Sequence, residues 1–262
     1  MEARKPTLKT WNDIAVWYNK QRATSPSAQT EAPLVLERLG DVRGKLILDA
    51  GSAGGYYTFL FERLGARVVA IDSAPHMIEH MEREQTKAGI PKDKIRSLLC
   101  DVADCEKLGL LPESFDAVLC ASLLNDIPDV HIAKSLSALN RMLKSNGIIV
   151  VTLPHPLKSS KEERNSNDHV IKDYVTHRKK LSKWKDHTKP DDPPMLVEYE
   201  HRPVSFYINE LISAGFKIVN VVEPTLNTEI TPRSELDREL IARSSTGIPA
   251  ILVIKAVKES GI

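Results

Sequence analysis

The sequence predicts an α/β fold, a doubly wound parallel sheet with helices on both faces. Three observations carry this. Between Leu34 and Leu153, short β-branched runs alternate with longer segments of helical period, the pattern of successive βαβ units. The runs are nearly all apolar, as strands buried on both faces require. A loop of small residues, Gly51–Gly55, then joins the first run to a helical segment, in the place where open α/β sheets bind ligands, outside the strand carboxyl ends.

The strand candidates are Leu46–Ala50, Val68–Asp72, Ile95–Cys100, Phe115–Cys120 and Ile148–Leu153. Between them, Ser73 and Pro75 open a helix through Met77, Ile78, Met81 and Glu84, which Gly89 and Pro91 close. A second helix runs from about Val130 to Leu143, with Ile132, Leu136, Leu139 and Leu143 at helical spacing, and a tight turn at Asn146-Gly147 ends it. Beyond the polar stretch that follows, Val204–Ala214 reads as a helix closed by Gly215, and Lys217–Glu223 and Ala250–Val257 as strands, with a second polar loop, 224–249, between them. Near the start, WNDIAVWYNKQR reads as an amphipathic helix carrying Ile14, Trp17 and Tyr18.

The whole-chain totals narrow the function classes. A length of 262 residues suits one core domain with elaborations, and 42% hydrophobic with 27% charged residues supports a sizeable core. A net charge of +1 does not suggest a dedicated nucleic-acid binder. No apolar run approaches the roughly 20 residues that span a bilayer, and MEARKPTLKTWND lacks the apolar stretch of a secretory signal. Cys100, Cys105 and Cys120 are odd in number and lack metal-ligand spacing, so they read as reduced thiols of a cytosolic protein with neither a metal site nor a membrane partner.

The stretch LILDAGSAGGYY defines the ligand question. A dinucleotide fingerprint would put glycines at Gly51, Ala53 and Tyr56, so two of its three positions fail, and no Gly-Lys-Ser/Thr follows for a phosphate loop. Asp72 ends the second strand in VVAIDSAPHM, where a carboxylate can accept hydrogen bonds from both hydroxyls of a ribose. Asp49, at the loop's entry, suits a cationic group better than a phosphate. These residues point to a nucleoside with a free ribose and no strong phosphate site.

These motifs together resemble class I S-adenosylmethionine (SAM)-dependent methyltransferases of the small-molecule type. LILDAGSAGG resembles the family's first motif and VVAIDSAPHMIEHM its second. LLCDVADCEKLGLLPESFDAVLCASLLNDI resembles the third and fourth, LNRMLKSNGIIVVTLPHP the fifth, and HRPVSFYINELISAGFKIVNVVEP the closing helix and strand. The resemblance is close over about 34–155 and looser over 201–257. It implies a Rossmann-like, seven-stranded, mostly parallel sheet with the last strand antiparallel, a polar insert or lid, and SAM as cofactor with S-adenosylhomocysteine as product. It also implies a division into an N-terminal helical cap (1–33), a cofactor-binding core (34–155), a basic insert (156–202) and a closing helix and strands (203–262).

Residue by residue, the resemblance implies that Asp49, Gly51, Ala53 and Gly55 surround the methionine portion. Asp72, with Ser73 and Met77 beside it, takes the ribose. Asp101 lies near the adenine amine with Val102 as the neighbouring backbone donor, while Ala121 and Ser122 face the methionine amino group. Tyr18 comes from the segment that such enzymes lay over the cofactor. Two departures stand out. Ala53 replaces the usual glycine, which costs on the order of 1 kcal/mol if the backbone there is left-handed. Asn125-Asp126 stands where a His pair is common, so a histidine role does not transfer.

Methyl transfer from a sulfonium mainly needs alignment, which supplies about 7–11 kcal/mol, so no catalytic residue is compulsory. His155, just past the fifth strand, is the candidate general base, with ordering of the His-Pro turn as its structural alternative. Asn125, Asp126, His155 and His201 are the candidate substrate contacts, against helix capping for the first two and a surface role for His201 and Arg202. Trp11, Trp17, Tyr56 and Tyr57 read equally well as packing residues. DPPM at 192–195 mimics an adenine-N6 methyltransferase motif but sits in the wrong place and lacks the aromatic.

From Lys158 to Lys189 there are ten Lys or Arg against five Asp or Glu. The stretch reads as a solvated lid over the acceptor site, or as a clamp for an anionic acceptor such as RNA, with Tyr174 and Trp184 available to stack. The expectation is a methyltransferase acting on a small-molecule acceptor through an O, N, S or C nucleophile. An RNA or macromolecule methyltransferase and a SAM-binding protein without turnover stand as alternatives. An NAD oxidoreductase fits less well, because the second and third glycines are missing.

Overall fold

The structure is a computed structural model that describes residues 7–22, 25–165, 168–171, 173–184, 193–226, 247 and 249–259. In chain order the elements are β1 (Thr7–Leu8), α1 (Trp11–Arg22), α2 (Pro26–Leu39), β2 (Leu46–Ala50), α3 (Tyr56–Arg63), β3 (Arg67–Asp72), α4 (Pro75–Lys87) and β4 (Ile95–Leu99). After a 3₁₀ helix at Val102–Leu108 come β5 (Phe115–Ala121), α5 (Asp129–Met142), β6 (Leu143–Pro154), α6 (Pro156–Ser160), β7 (Lys161–Asn165) and β8 (Asp168–Ile171). The chain closes with β9 (Arg178–Trp184), β10 (Met195–His201), α7 (Val204–Ser213), β11 (Phe216–Val222) and β12 (Ile251–Lys258).

Seven strands form the central sheet in the order β11-β12-β6-β5-β2-β3-β4. The pairs β6–β5, β5–β2, β2–β3 and β3–β4 are parallel, and β12 runs antiparallel to both of its neighbours. This is the Rossmann-like sheet that the sequence implies. The chain reverses direction across the sheet between β2 and β5, which opens a crevice at their carboxyl ends.

Strand residues alternate between two cores. Leu48, Ala50, Val69, Ile71, Val118, Cys120, Ile149 and Val151 face one side, with α5 and α7. Ile47, Val68, Ala117, Leu119, Val150 and Val253 face the other, with α2 and α3. Each fully buried Val, Leu or Ile stabilises the fold by about 1.5–3 kcal/mol, so the two layers hold the sheet rigid beneath the crevice. The polar exceptions on the second side are Asp49 and Thr152, both buried.

Besides β6, which starts at Leu143 directly after α5 so that Asn146-Gly147 lies inside the strand rather than in a turn that ends the helix, element boundaries differ from the sequence reading in two places. The α2 helix runs across the expected division at residue 33, with Pro33 inside it. It is held at its start by Ser25, whose hydroxyl accepts from the Ala28 N–H at 3.1 Å. The second difference lies in the basic insert, which contains strands: β7 pairs with β8, and β9 pairs antiparallel with β10. β10 also pairs with β1, so the start of the chain and the insert share a three-stranded sheet. The reason lies in RKKLSKW, where alternate residues of β9 are half-buried and exposed. Its last residue, Trp184, packs against Trp11, Trp17 and Tyr18 of α1 with ring centroids 5.5–5.7 Å apart. Some of the insert's charge is paired, as Lys179 with Glu198 and Arg178 with Asp173. Residues 185–192, including Asp192 of the DPPM motif, and most of the 224–249 loop lie outside the described residues.

Candidate active site

The crevice encloses about 170 Å³ and is lined by Trp11, Tyr18, Gly51, Ala53, Asp72, Ser73, Met77, Asp101, Val102, Ala121, Ser122 and Asp126, among others. A narrow neighbouring recess of about 20 Å³ shares Tyr18, Gly51, Ala53 and Ala121 and adds Asn19, Arg22, Asp49, Ser52 and Gly54. The structure therefore brings twelve of the sequence-predicted residues to one place: Tyr18, Asp49, Gly51, Ala53, Asp72, Ser73, Met77, Asp101, Val102, Ala121, Ser122 and Asp126. Gly55, Asn125, His155 and His201 are not among the lining residues.

The loop after β2 is held by backbone hydrogen bonds and by Asp72. The N–H groups of Gly51 and Ser52 both donate to the Ile71 carbonyl, at 2.9 and 3.0 Å. The Ala53 N–H donates to Asp72 Oδ2 at 2.9 Å, and the Ala74 N–H donates to Oδ1 at 2.8 Å. Asp72 thus ties the loop to the start of α4 and keeps a lone pair on each oxygen for a ligand. Burial pushes its carboxyl above the usual value, against the pull of those backbone donors.

Ala53 has φ 47°, in the left-handed region that the sequence raised as a condition. Gly55, at φ 92°, turns the chain into α3, and a Cβ there would meet the Phe59 ring at 2.9 Å, so its glycine is needed for packing. Ser122, at the end of β5, has φ 52° and donates its N–H to the Thr152 carbonyl at 2.8 Å. Left-handed non-glycine residues cost of order 1–3 kcal/mol and cluster at functional sites. Ala53 and Ser122 are both among the residues that line this crevice.

Asp49 is buried beneath the loop and accepts from the Thr58 hydroxyl at 2.6 Å. Burial, opposed by that hydrogen bond, raises its pKa to about 6. Asp101 accepts from the Ala103 N–H at 2.8 Å and so caps the 3₁₀ turn that places Val102. No cluster of His, Cys, Asp and Glu able to hold a metal occurs among the described residues. The three cysteines are free thiols, and burial raises the pKa of each.

The sequence reading missed Arg22. Its guanidinium sits 5.4 and 5.7 Å from the ring centroids of Tyr56 and Tyr57 and pairs with the buried Glu31. Glu31 in turn accepts from the Thr152 hydroxyl. Burial works against the arginine's charge, but Glu31 beside it outweighs that and raises its pKa. Ser52 Oγ, in the same recess, is buried without a hydrogen-bond partner among the described residues. A cation and an unsatisfied hydroxyl at one end of a crevice fit a ligand carrying a carboxylate. The only sequence signal for Arg22 is its place at the end of an amphipathic helix.

The α1 helix closes over the loop through polar contacts. Asn19 Oδ1 accepts from the Gly54 N–H at 3.0 Å, and Asn12 Oδ1 accepts from the His76 N–H at 2.9 Å.

His155 is buried at the end of β6. Its Nδ1 accepts from the Leu157 N–H at 3.2 Å, so Nε2 carries the proton of the neutral ring and donates it to Glu223 at 2.7 Å. Both ring nitrogens are engaged away from the crevice. His201, at the end of β10, donates Nε2–H to the Tyr174 carbonyl at 3.0 Å.

Comparisons with known proteins agree with this geometry. A family profile for a methyltransferase domain matches residues 48–151. An uncharacterized protein of Haemophilus influenzae is 29% identical over 248 residues, 92% of each chain. A ubiquinone biosynthesis O-methyltransferase of Xanthomonas oryzae pv. oryzae is 34% identical over 107 residues, 41% of this chain and 42% of that one. The S-adenosylmethionine-dependent methyltransferase of Mesorhizobium loti superposes with a TM-score of 0.68 at 23% identity, covering 89% of this chain and 100% of the other. The seven-stranded sheet and the crevice at its strand ends are those of a Rossmann-like methyltransferase fold, within which residues 48–151 match a methyltransferase domain.

Proposed function

We propose that the chain methylates a small-molecule acceptor, with the nucleoside half of SAM in the wider crevice and the amino-acid half in the recess beside Arg22. The observation that carries this is the pairing of Asp72 at one end with Arg22 and Ser52 at the other. When bound, the cofactor supplies a methyl group already activated by its sulfonium charge. Asp72 offers each ribose hydroxyl a charged acceptor, worth about 1.5–3 kcal/mol apiece. Asp101 and Val102 take the adenine edge, while Met77 packs beneath it. Arg22 holds the carboxylate, and Ala121 and Ser122 offer backbone groups to the amino end. The α1 helix excludes water from above, and Tyr18 closes the space over the loop.

His155 has a structural part in this reading, since its ring clips β6 to Glu223. The small-molecule assignment draws on the named O-methyltransferase relatives, one of which shares a 107-residue segment at 34% identity. The RNA reading loses ground where the insert's lysines and arginines meet acidic partners.

Titration calorimetry with SAM tests the cofactor half of the proposal, and release of S-adenosylhomocysteine in the presence of candidate acceptors tests turnover. Tight SAM binding with no release across amines, phenols and thiols would leave a cofactor-binding protein without turnover. Acceptor affinity that falls steeply with added salt would restore the RNA reading.

A further inference from the structure

The segment after β5 is gripped from outside by the insert. Arg202 is almost fully buried, and its Nη1 donates to the Leu124 carbonyl at 2.8 Å, its Nη2 to the Ile127 carbonyl, and its Nε to Asp129 Oδ1 at 2.6 Å. The Glu200 N–H donates to the Asn125 carbonyl at 2.7 Å. These bonds fix the stretch from Leu124 to Asp129, within which Asp126 lines the crevice.

The Asp126 carboxylate is aimed by two donors. Asn125 Nδ2 donates to Oδ1 at 2.8 Å, and the Trp11 indole is its second partner. Having given its N–H to Asp126, Asn125 keeps a buried Oδ1 that has no donor among the described residues. Trp11 and Tyr18, edge to face with ring centroids 5.1 Å apart, line the same crevice. Trp11, Tyr18 and Asp126 present the crevice with carboxylate acceptors, a negative charge and aromatic rings. A ligand that satisfies all three is a cation bearing N–H groups: N–H satisfies the oxygens, and the positive charge suits both carboxylate and rings.

We propose that Asp126 is the acceptor-side carboxylate and that the acceptor is an amine arriving as an ammonium ion. This rests on the methyltransferase reading above and names its substrate class. The ammonium N–H passes its proton to an Asp126 oxygen, which frees the nitrogen lone pair. That pair forms the new N–C bond as the S–C bond breaks, and the electrons of the broken bond stay on sulfur as a neutral thioether. The positive charge ends on the methylated nitrogen, and the proton on Asp126 leaves to solvent. Burial raises the Asp126 carboxyl well above its ordinary range.

The test uses the full chain saturated with S-adenosylhomocysteine and two matched probes, benzylamine, which is charged at neutral pH, and benzyl alcohol, which is not. Binding is followed by calorimetry. Benzylamine should bind about tenfold tighter or more, and Asp126→Asn, which keeps the side-chain shape, should erase that preference while changing S-adenosylhomocysteine affinity by less than about twofold. Equal affinity for the two probes, no binding of either, or a preference that survives in Asp126→Asn would overturn the assignment. A loss of S-adenosylhomocysteine affinity of about tenfold in the variant would overturn it as well, because the carboxylate would then serve the cofactor. Failure of S-adenosylhomocysteine to bind the unsubstituted chain is a separate result that removes the methyltransferase reading itself.

Discussion

Asp72 and Ala53, nineteen residues apart, are joined by a 2.9 Å hydrogen bond from the alanine N–H to a carboxylate oxygen. The loop after β2 and the acid proposed to take the ribose therefore form one unit. Removing the acid should have two effects. Asp72→Ala should weaken SAM binding by about tenfold or more and also lower stability by about 1–3 kcal/mol, since two part-buried N–H groups lose their acceptor. Asp72→Asn keeps one acceptor oxygen and should lose less of both. Calorimetry and urea denaturation read the two effects separately, and an alanine variant with unchanged SAM affinity would contradict the ribose assignment.

Ala53 carries a left-handed backbone that alanine tolerates poorly. Glycine relieves strain of about 1–2 kcal/mol but makes the unfolded chain more flexible, which returns about 0.4–1 kcal/mol. Ala53→Gly should thus raise stability by no more than about 1 kcal/mol and tighten SAM binding modestly. A clear loss of stability would show that the Ala53 methyl group, which packs near Ala15, Ala74 and Met77, contributes more than the strain costs.

Asp49 gives the protein a defined pH response. Its pKa is about 6 in the fold against 3.8 for an ordinary aspartate carboxyl. Between those values the unfolded chain holds fewer protons than the native one, so this group's contribution to stability is full below about 3.8 and declines as pH rises to about 6. Asp49→Asn should flatten that decline in denaturation curves taken across the window. A cationic amino group bound nearby would favour the carboxylate, so SAM binding should release protons in the same window. Calorimetry in buffers of different ionisation enthalpy measures that release.

Arg22 and Glu31 form a buried pair whose halves depend on each other. Arg22→Met leaves Glu31 buried without its cation and should cost about 3–5 kcal/mol. Arg22→Lys keeps the charge but loses the guanidinium's contact with the Tyr56 and Tyr57 rings. It should stay folded while binding SAM several-fold more weakly, with the loss confined to ligands that carry the carboxylate. Comparing SAM with 5′-methylthioadenosine, which lacks it, reads this directly.

Much of this was legible in the sequence where local pattern and chemistry coincide. The limits of β2 follow from an apolar run bounded by turn residues, and Asp72 declares itself by ending a strand beside the loop. Arg22 was hidden because its role arises only when α1 lies across the loop and Glu31 is delivered by α2, a helix masked in the sequence by its internal Pro33. Position made His155 look reactive, but chain direction after β6 turns its ring toward Glu223. The β9 strand was obscured because a count of charges ignores that RKKLSKW has a period of two. Arg202 looked like a surface residue, and nothing local foretells that its guanidinium reaches two carbonyls on a loop more than seventy residues earlier.

The pairing of Thr7–Leu8 with Met195–Leu196 joins the beginning of the chain to a strand that is synthesised much later. Closing so long a loop costs entropy before the pairing returns any contact energy. The seven-stranded core therefore consolidates first, from neighbouring βαβ units, and the three-stranded sheet is the last part to assemble and the first to come undone. Hydrogen exchange should accordingly run fastest in β1, β9 and β10 and slowest in β2 and β5.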